Sequence, residues 1–312
     1  MNILVTGAAG FIGSRLANAL AEAGNTVFAV DNLSGGFRKN LSPGINFIWC
    51  DLAQEGVETR LPHNIDVVYH LASCVGGLPA FENPLEDLDA NAGATLRLLK
   101  WSQKLKVKRF IFASTMAVYG NPTKGILTEE DTPKPISFYA VSKLAAENYC
   151  AIFNGLGLPT TVLRLFNVYG PHQNFENMKQ GMISIFLAFL RNGEIIKVKG
   201  PLDRTRDFVY IDDVVRAFLA ANSSKADGKV FNVASGRETS VAKLVKLLQE
   251  SWGGADRSIE QQDPTPLDQQ QVFGSHKKIE QQLGWKPSVT LEDGIACTVT
   301  WLKQLPKNYY SI

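Results

Sequence analysis

The chain has 312 residues, 45% of them hydrophobic and 20% charged, with a net charge of +2. That length holds one large domain or two lobes sharing a core. So even a charge balance provides no bulk field toward nucleic acid or a membrane surface, and an anionic ligand has to be held by local groups. No apolar run approaches the ~18 residues that span a bilayer. The chain opens on a strand-like run, Asn2-Ile3-Leu4-Val5-Thr6, not on the basic and apolar regions of a secretory leader, so a cytoplasmic location is expected. Cys50, Cys74, Cys150 and Cys297, with four scattered histidines, show no CxxC, HxxxH or HExxH spacing. Reduced thiols and no metal site are expected.

Strand and helix patterns alternate through the first half. Ile3-Leu4-Val5 predicts a strand, and the stretch from Phe11 to Ala23 a helix. Strands are predicted at Thr26 to Val30, Asn46 to Trp49 and Asp66 to His70. A long helical pattern covers about Glu82 to Lys104. Arg109 to Ala113 reads as a buried strand, Ser137 to Phe153 as a helix and Thr160 to Leu165 as another strand. This alternation predicts an α/β fold, a doubly wound parallel sheet of Rossmann type. Beyond Gly170-Pro171 the texture changes. A helix is predicted near Gly181 to Arg191, strands at Phe208 to Ile211 and Val230 to Val233, and helices at about Val241 to Glu250 and Leu291 to Lys303. We assign residues 1–167 to a dinucleotide-binding domain, to which strands near 208–211 and 230–234 return. Residues 168–312 form mainly a smaller, interleaved substrate lobe.

The first strand–helix turn reads Thr6-Gly7-Ala8-Ala9-Gly10-Phe11-Ile12-Gly13. Gly7 suits a tight turn, Gly10 a close approach to a pyrophosphate, and Gly13 close packing of helix on sheet. The helix N-terminus then offers free N–H groups to phosphates. Asp31 ends the second strand, about 20 residues on, where a carboxylate binds ribose hydroxyls and repels a 2′-phosphate. NAD is therefore expected over NADP, and Arg38 reads as a surface charge. Asp51-Leu52 follows the third strand, where an adenine edge would lie.

Tyr139 and Lys143 stand at i and i+4 on one face of a predicted helix. A tyrosine is a poor base at neutral pH, but a nearby ammonium favours its phenolate, so the pair can act as a general acid/base. Ser114-Thr115 ends a buried strand, where sheet ligands bind, and Thr115 is placed to hydrogen-bond a reacting hydroxyl or carbonyl.

TGxxGxxG at 6–13, Asp31, STMAVYG at 114–120, Tyr139-xxx-Lys143, RLFNVYGP at 164–171 and RTRDFVYIDD at 204–213 together resemble the extended short-chain dehydrogenase/reductase family. Within it the chain is most similar to NAD-dependent nucleotide-sugar epimerases and dehydratases, UDP-glucose (UDP-galactose) 4-epimerases above all. The similarity runs from Met1 to about Trp301. It implies NAD contacts at Gly7, Gly10, Phe11, Ile12, Gly13, Asp31, Asn32, Asp51, Leu52, Leu71, Ala72, Asn91, Tyr139 and Lys143. It implies that Val75, Thr115, Asn167, Gln180, Arg206 and Asp268 face a nucleotide sugar, with Arg206 paired to the diphosphate. Thr265-Pro266-Leu267-Asp268 departs from the family's Arg-Pro-Gly-Asp, which removes a second diphosphate arginine. A homodimer through the 82–104 and 137–153 helices is also implied.

In this family a tyrosinate takes the 4-hydroxyl proton and hydride passes from C4 to NAD. The 4,6-dehydratases carry Asp-Glu after the threonine, decarboxylases keep Glu where Ala117 stands, and 3,5-epimerases place Cys there. Met116-Ala117 offers no such group, which points to inversion at C4, since the keto sugar then need only rotate and take hydride back on its other face; the resemblance implies a UDP-sugar substrate. A dehydratase, a decarboxylase, a 4-keto reductase and a non-catalytic NAD-binding scaffold are the alternatives. Val75-Gly76-Gly77 is similar to the GDP-sugar epimerase and reductase branch, which leaves a different base or chemistry at C3 or C5 open; Cys74 reads as a structural thiol, with an approach to the sugar as the alternative.

Overall fold

Runs without polar alternation, such as Ile3-Leu4-Val5 and Phe110-Ile111-Phe112, suit strands buried on both faces. The computed structural model describes residues 1–75, 77–122, 125–179, 181–254, 257–264, 269–306 and 309. In chain order its strands begin with β1 (Asn2–Thr6), β2 (Thr26–Asp31), β3 (Asn46–Trp49), β4 (Val67–His70), β5 (Arg109–Thr115) and β6 (Ile126–Leu127). There follow β7 (Thr160–Leu165), β8 (Asn167–Tyr169), β9 (Ile196–Lys199), β10 (Thr205–Arg206) and β11 (Phe208–Tyr210). The last are β12 (Lys229–Val233), β13 (Thr239–Ser240), β14 (Ile259–Gln262) and β15 (Gln271–Gly274). The helices are α1 (Phe11–Glu22), α2 (Gly77–Glu82), α3 (Pro84–Leu88), α4 (Ala94–Lys104) and α5 (Phe138–Gly155). They continue with α6 (Met182–Asn192), α7 (Ile211–Ala221), α8 (Val241–Trp252), α9 (Lys277–Leu283) and α10 (Leu291–Gln304).

Seven parallel strands form the large sheet in the order β3-β2-β1-β4-β5-β7-β12. Alternate residues feed two separate cores. Ile3, Val5, Tyr69, Ile111 and Leu163 pack with α1 and α7 on one face. Leu4, Val68, Phe110, Phe112 and Val162 pack with α4 and α5 on the other. The period-2 geometry of a strand makes this division, and both faces are covered, as in a doubly wound sheet. Strand order reverses between β1 and β4, and ligands of such sheets bind outside the strands' carboxyl ends at that switch.

Three smaller sheets build the C-terminal lobe: β13-β10-β15-β6, the pair β11-β8 and the pair β14-β9. Asp207, fully buried between β10 and β11, ties β15 to the turn after β12. Its carboxylate accepts the Ser235 amide at 2.8 Å and hydroxyl at 2.6 Å, and the Gly236 and Gly274 amides.

The structure corrects two expectations. The strand expected at 208–211 does not join the large sheet. β12 already occupies the open edge of β7, so β11 pairs with β8, the continuation of β7 past Phe166. Ile211 starts α7, with Asp212 and Asp213 in its first turn where the helix dipole favours them. The single helix expected from Glu82 to Lys104 is interrupted. Pro84 begins α3 afresh after Asn83, and Asp89–Gly93 forms a π-helical turn before α4. The strands β9 and β14, of which β9 alternates Ile196 and Val198 with two exposed lysines, had not been anticipated.

A Cβ on Gly13 would stand 2.0 Å from the carbonyl oxygen of Gly7. Gly13→Ala therefore forces helix from sheet and is expected to destabilise the protein by about 1–3 kcal/mol. Gly155→Ala, whose Cβ meets nothing within 4 Å, serves as the neutral control. Urea midpoints of the two variants check this; equal midpoints would show that the turn has room.

Candidate active site

The C-terminal edge of the large sheet begins with the glycine turn after β1. Gly7 adopts φ +64°, and a Cβ there would lie 2.7 Å from the Ala72 nitrogen. Gly10 precedes α1, and no side chain caps that helix. The first-turn amides of Phe11, Ile12 and Gly13 thus keep their donors and the positive end of the helix dipole for an anion. Asp31 closes the turn. One carboxylate oxygen accepts the Ala9 amide at 2.9 Å and the other the Leu33 amide at 2.7 Å. Each oxygen has a second acceptor site left for ribose hydroxyls. These features fit a dinucleotide.

Neighbouring groups are arranged by backbone contacts. Asn32 accepts the Ser34 amide and Asp51 the Ala53 amide, each within its own turn. Leu52 is buried in the second core. The Leu71 and Ala72 amides donate to the Thr6 hydroxyl at 3.2 and 3.1 Å. Arg38 lies over the Phe47 ring at 5.2 Å.

Asn91 is 1% exposed, and its amide is engaged within the protein. The oxygen accepts the Ser73 hydroxyl at 2.6 Å and the Cys74 amide at 3.0 Å, while the nitrogen donates to Asp87 at 2.8 Å.

Thr115 caps the 3₁₀ turn Met116–Tyr119, its hydroxyl accepting the Ala117 amide at 3.2 Å. Ser137 caps α5 by accepting the Ala140 amide. Tyr139 and Lys143 then fall on one face of α5. Burial pushes the Tyr139 phenol up to about 12, although the Thr115 and Ser73 hydroxyls favour its ionised form. Burial lowers Lys143 to about 8, against the raising influence of Glu147, Cys150 and Asp87. The Lys143 ammonium stands 4.3 Å from the centroid of the Phe112 ring. In the protein alone, desolvation is thus the largest influence on the Tyr139 phenol.

A cleft of about 700 Å³ brings together Phe11, Ile12, Val75, Thr115, Tyr139, Asn167 and Arg206. Asn167 donates to the Asp207 carbonyl at 2.8 Å. The Arg206 guanidinium, 4% exposed, donates to the Thr205 carbonyl at 2.7 Å. Gln180 and Asp268 lie outside the described residues. Phe81 and Phe138, their ring centroids 6.4 Å apart, flank the cleft near Tyr139. The sequence reading missed Lys197, Lys199 and Arg204, which add positive charge to the same cleft. The alternation of Ile196-Lys197-Val198-Lys199 was the available signal, a strand with its basic face outward. Among the described lining residues there is no carboxylate, imidazole or thiol. Among the described residues no group of three or more His, Cys, Asp or Glu is placed to hold a metal, and no helix is long and apolar enough to cross a membrane.

A model of the NAD dependent epimerase/dehydratase family matches residues 3–234. A putative UDP-glucose 4-epimerase of Methanocaldococcus jannaschii is 34% identical over 304 residues, covering 96% of this chain and 98% of its own. A UDP-N-acetyl-alpha-D-glucosaminuronate decarboxylase of Bacillus cytotoxicus is 30% identical over 319 residues, covering 97% and 98%. The crystal structure of the UDP-glucose 4-epimerase of Thermotoga maritima with UDP-glucose is similar at a TM-score of 0.94. It is 39% identical, over 97% of this chain and 99% of that one.

The lowered Lys143 has a consequence for stability. Between about 8 and 10.5 the unfolded chain holds a proton that the folded chain has released, so stability rises with pH there. Below that window both states are protonated and the fold bears the full burial penalty. Lys143→Met is expected to be more stable than the parent near neutral pH, by roughly 2–3 kcal/mol. The advantage should shrink as pH rises through the window. Urea midpoints at both ends of it check this, and a pH-independent difference would contradict a buried cation.

Proposed function

This chain belongs to the NAD-dependent epimerase/dehydratase family, and from that premise we propose that it inverts C4 of a UDP-sugar through a transient 4-keto sugar. The observation that carries the reading is the chemistry of the cleft wall beside Tyr139. Met116 and Ala117 follow Thr115 there, and the described lining holds no carboxylate, imidazole or thiol. Loss of water needs an acid and a base beyond the tyrosine. Inversion needs only one proton-transfer group and room for the sugar to turn.

In this reading Tyr139 takes the proton of the 4-hydroxyl and later returns it, Thr115 orients that hydroxyl, and Lys143 stabilises the phenolate. NAD, when bound, supplies the hydride acceptor and a positively charged ring. The glycine turn and first turn of α1 hold its pyrophosphate, and Asp31 its ribose. Asn32, Asp51, Leu52, Leu71 and Ala72 complete the cofactor wall. Val75, Asn167 and Arg206, with Gln180 and Asp268, face the nucleotide sugar. Arg206 meets the diphosphate, and Lys197, Lys199 and Arg204 add charge that the 265–268 segment lacks. Residues 1–167 with β12 form the cofactor domain, and most of the remainder the substrate lobe. A homodimer through α4 and α5 is part of the same reading.

Tyr139→Phe is expected to lower kcat by about 10²–10⁴-fold while KM for the UDP-sugar stays within a few fold. Steady-state kinetics check this, and turnover near that of the parent would remove Tyr139 from the chemistry.

Redox balance tests the reaction itself. Hydride that leaves the sugar returns to it, so UDP-glucose and UDP-galactose, or their N-acetyl or uronic acid counterparts, should interconvert with only catalytic NAD. NMR should show the same equilibrium approached from either side. Growth of NADH in step with product, a stable 4-keto-6-deoxy sugar, or release of carbon dioxide would assign the chain to a different branch of its family.

A further inference from the structure

Asp87 lies on α3, outside the cleft lining, and is 1% exposed. One carboxylate oxygen accepts the Ser142 hydroxyl at 2.6 Å, and the other accepts the Asn91 side-chain nitrogen at 2.8 Å. Ser142 stands between Tyr139 and Lys143 on α5. Asn91, presented by the π-helical turn Asp89–Gly93, grips Ser73 and Cys74 of the loop after β4. A π turn displaces one residue from the regular helical ladder and is frequent at functional sites. Here it puts the Asn91 amide where it reaches Asp87 and that loop together. Ser73 is also one of the two hydroxyl groups that face the Tyr139 phenol. A single buried carboxylate therefore ties the loop on one side of Tyr139 to the helix that carries it.

We propose that Asp87 is a positioning residue for the Tyr139–Lys143 pair, acting through Ser142 and Asn91 to hold α5 and the Ser73–Cys74 loop in one arrangement. The proposal rests on the reading of Tyr139 as the acid/base. Its buried charge also has a direction of effect. The charged and titratable groups around it are Tyr139 and Lys143 from α5, Cys74 from the loop and Glu86 from its own helix. Its negative charge disfavours tyrosinate and favours the Lys143 ammonium. Burial raises the Asp87 carboxyl, while Ser142, Lys143 and Asn91 act to keep it ionised.

Two substitutions separate geometry from charge. Asp87→Asn keeps an acceptor for Asn91 and can donate to the Ser142 hydroxyl, but it removes the charge. Asp87→Ala removes both. The measurements are the urea midpoint, KM for the UDP-sugar and the pH profile of kcat. Asp87→Asn should stay folded, keep KM within a few fold and move the acid limb of the profile to lower pH, because Tyr139 then ionises more easily. Asp87→Ala should lose roughly tenfold to a hundredfold in kcat, with KM little changed. Should Asp87→Ala not fold, Ser142→Ala cuts the arm to α5 alone and should show a smaller loss of the same kind. An unmoved acid limb in Asp87→Asn, with kcat of the alanine variants within twofold of the parent, would overturn the proposal. Tyr139→Phe keeps the two levels distinct. If it is inactive while the Asp87 variants match the parent, only this proposal fails; if it is active, the reading of the site fails first.

Discussion

Glu147 lies one helical turn beyond Lys143 on α5, and its carboxylate is 5% exposed. It accepts the Ser114 hydroxyl from the end of β5 and two nitrogens of Arg164 from β7, at 3.0 and 2.7 Å. Arg164 stacks over the Tyr119 ring at 4.8 Å, and the Tyr119 hydroxyl donates to Asn232 on β12 at 2.7 Å. A carboxylate this deep costs several kcal/mol unless it is paired and fully hydrogen-bonded, so the partners cannot be varied one at a time. The pair fixes α5 over the ends of β5 and β7, which places Tyr139 beside Thr115. It also supplies the negative charge that lets Lys143 remain inside the protein as a cation. Through Asn232 the same chain of contacts reaches the strand that returns from the second half of the sequence.

The cleft follows from that arrangement. One wall comes from the ends of the parallel strands and is mostly apolar around Tyr139. The other comes from the C-terminal lobe, where β9 contributes Lys197 and Lys199, β10 contributes Arg206, and Arg204 stands just before β10. Asp207 holds the base of this second wall. Its carboxyl is raised to about 6 by complete burial, against four hydrogen bonds that keep it ionised. Its charge is directed at the Ser235, Gly236 and Gly274 amides, and the neighbouring Arg206 lines the cleft. The tyrosine, by contrast, is left protonated at neutral pH by the protein alone. In the proposed reaction, positive charge brought into the cleft would favour the phenolate.

The glycine turn, Asp31, Thr115, Tyr139 and Lys143 were legible because each is a local pattern. Spacing along one turn or one helix face decides where the side chain points, whatever the rest of the chain does. Asp87, Asp207 and Glu147 were not legible. Each is a single acidic residue in an ordinary helix or loop, and its importance comes from partners on other elements, up to 67 residues distant. The part that Lys197, Lys199 and Arg204 play in the cleft was missed for the same reason, since nothing in the local sequence says which elements border it. The misplaced strand at 208–211 shows the limit in another form. Its pattern predicts an extended segment, but which edge it joins depends on β12 having taken the open side of β7.

The sequence by itself determined the doubly wound parallel sheet, the family and its NAD cofactor, because hydrophobic period and motif spacing act over a few residues and tolerate little variation. Tertiary structure alone decided how the two halves meet and which cations share the cleft. It also decided which buried carboxylates hold Tyr139 and Lys143 in place. Those outcomes depend on desolvation and on long-range hydrogen bonds, and neither exists until the elements have packed together.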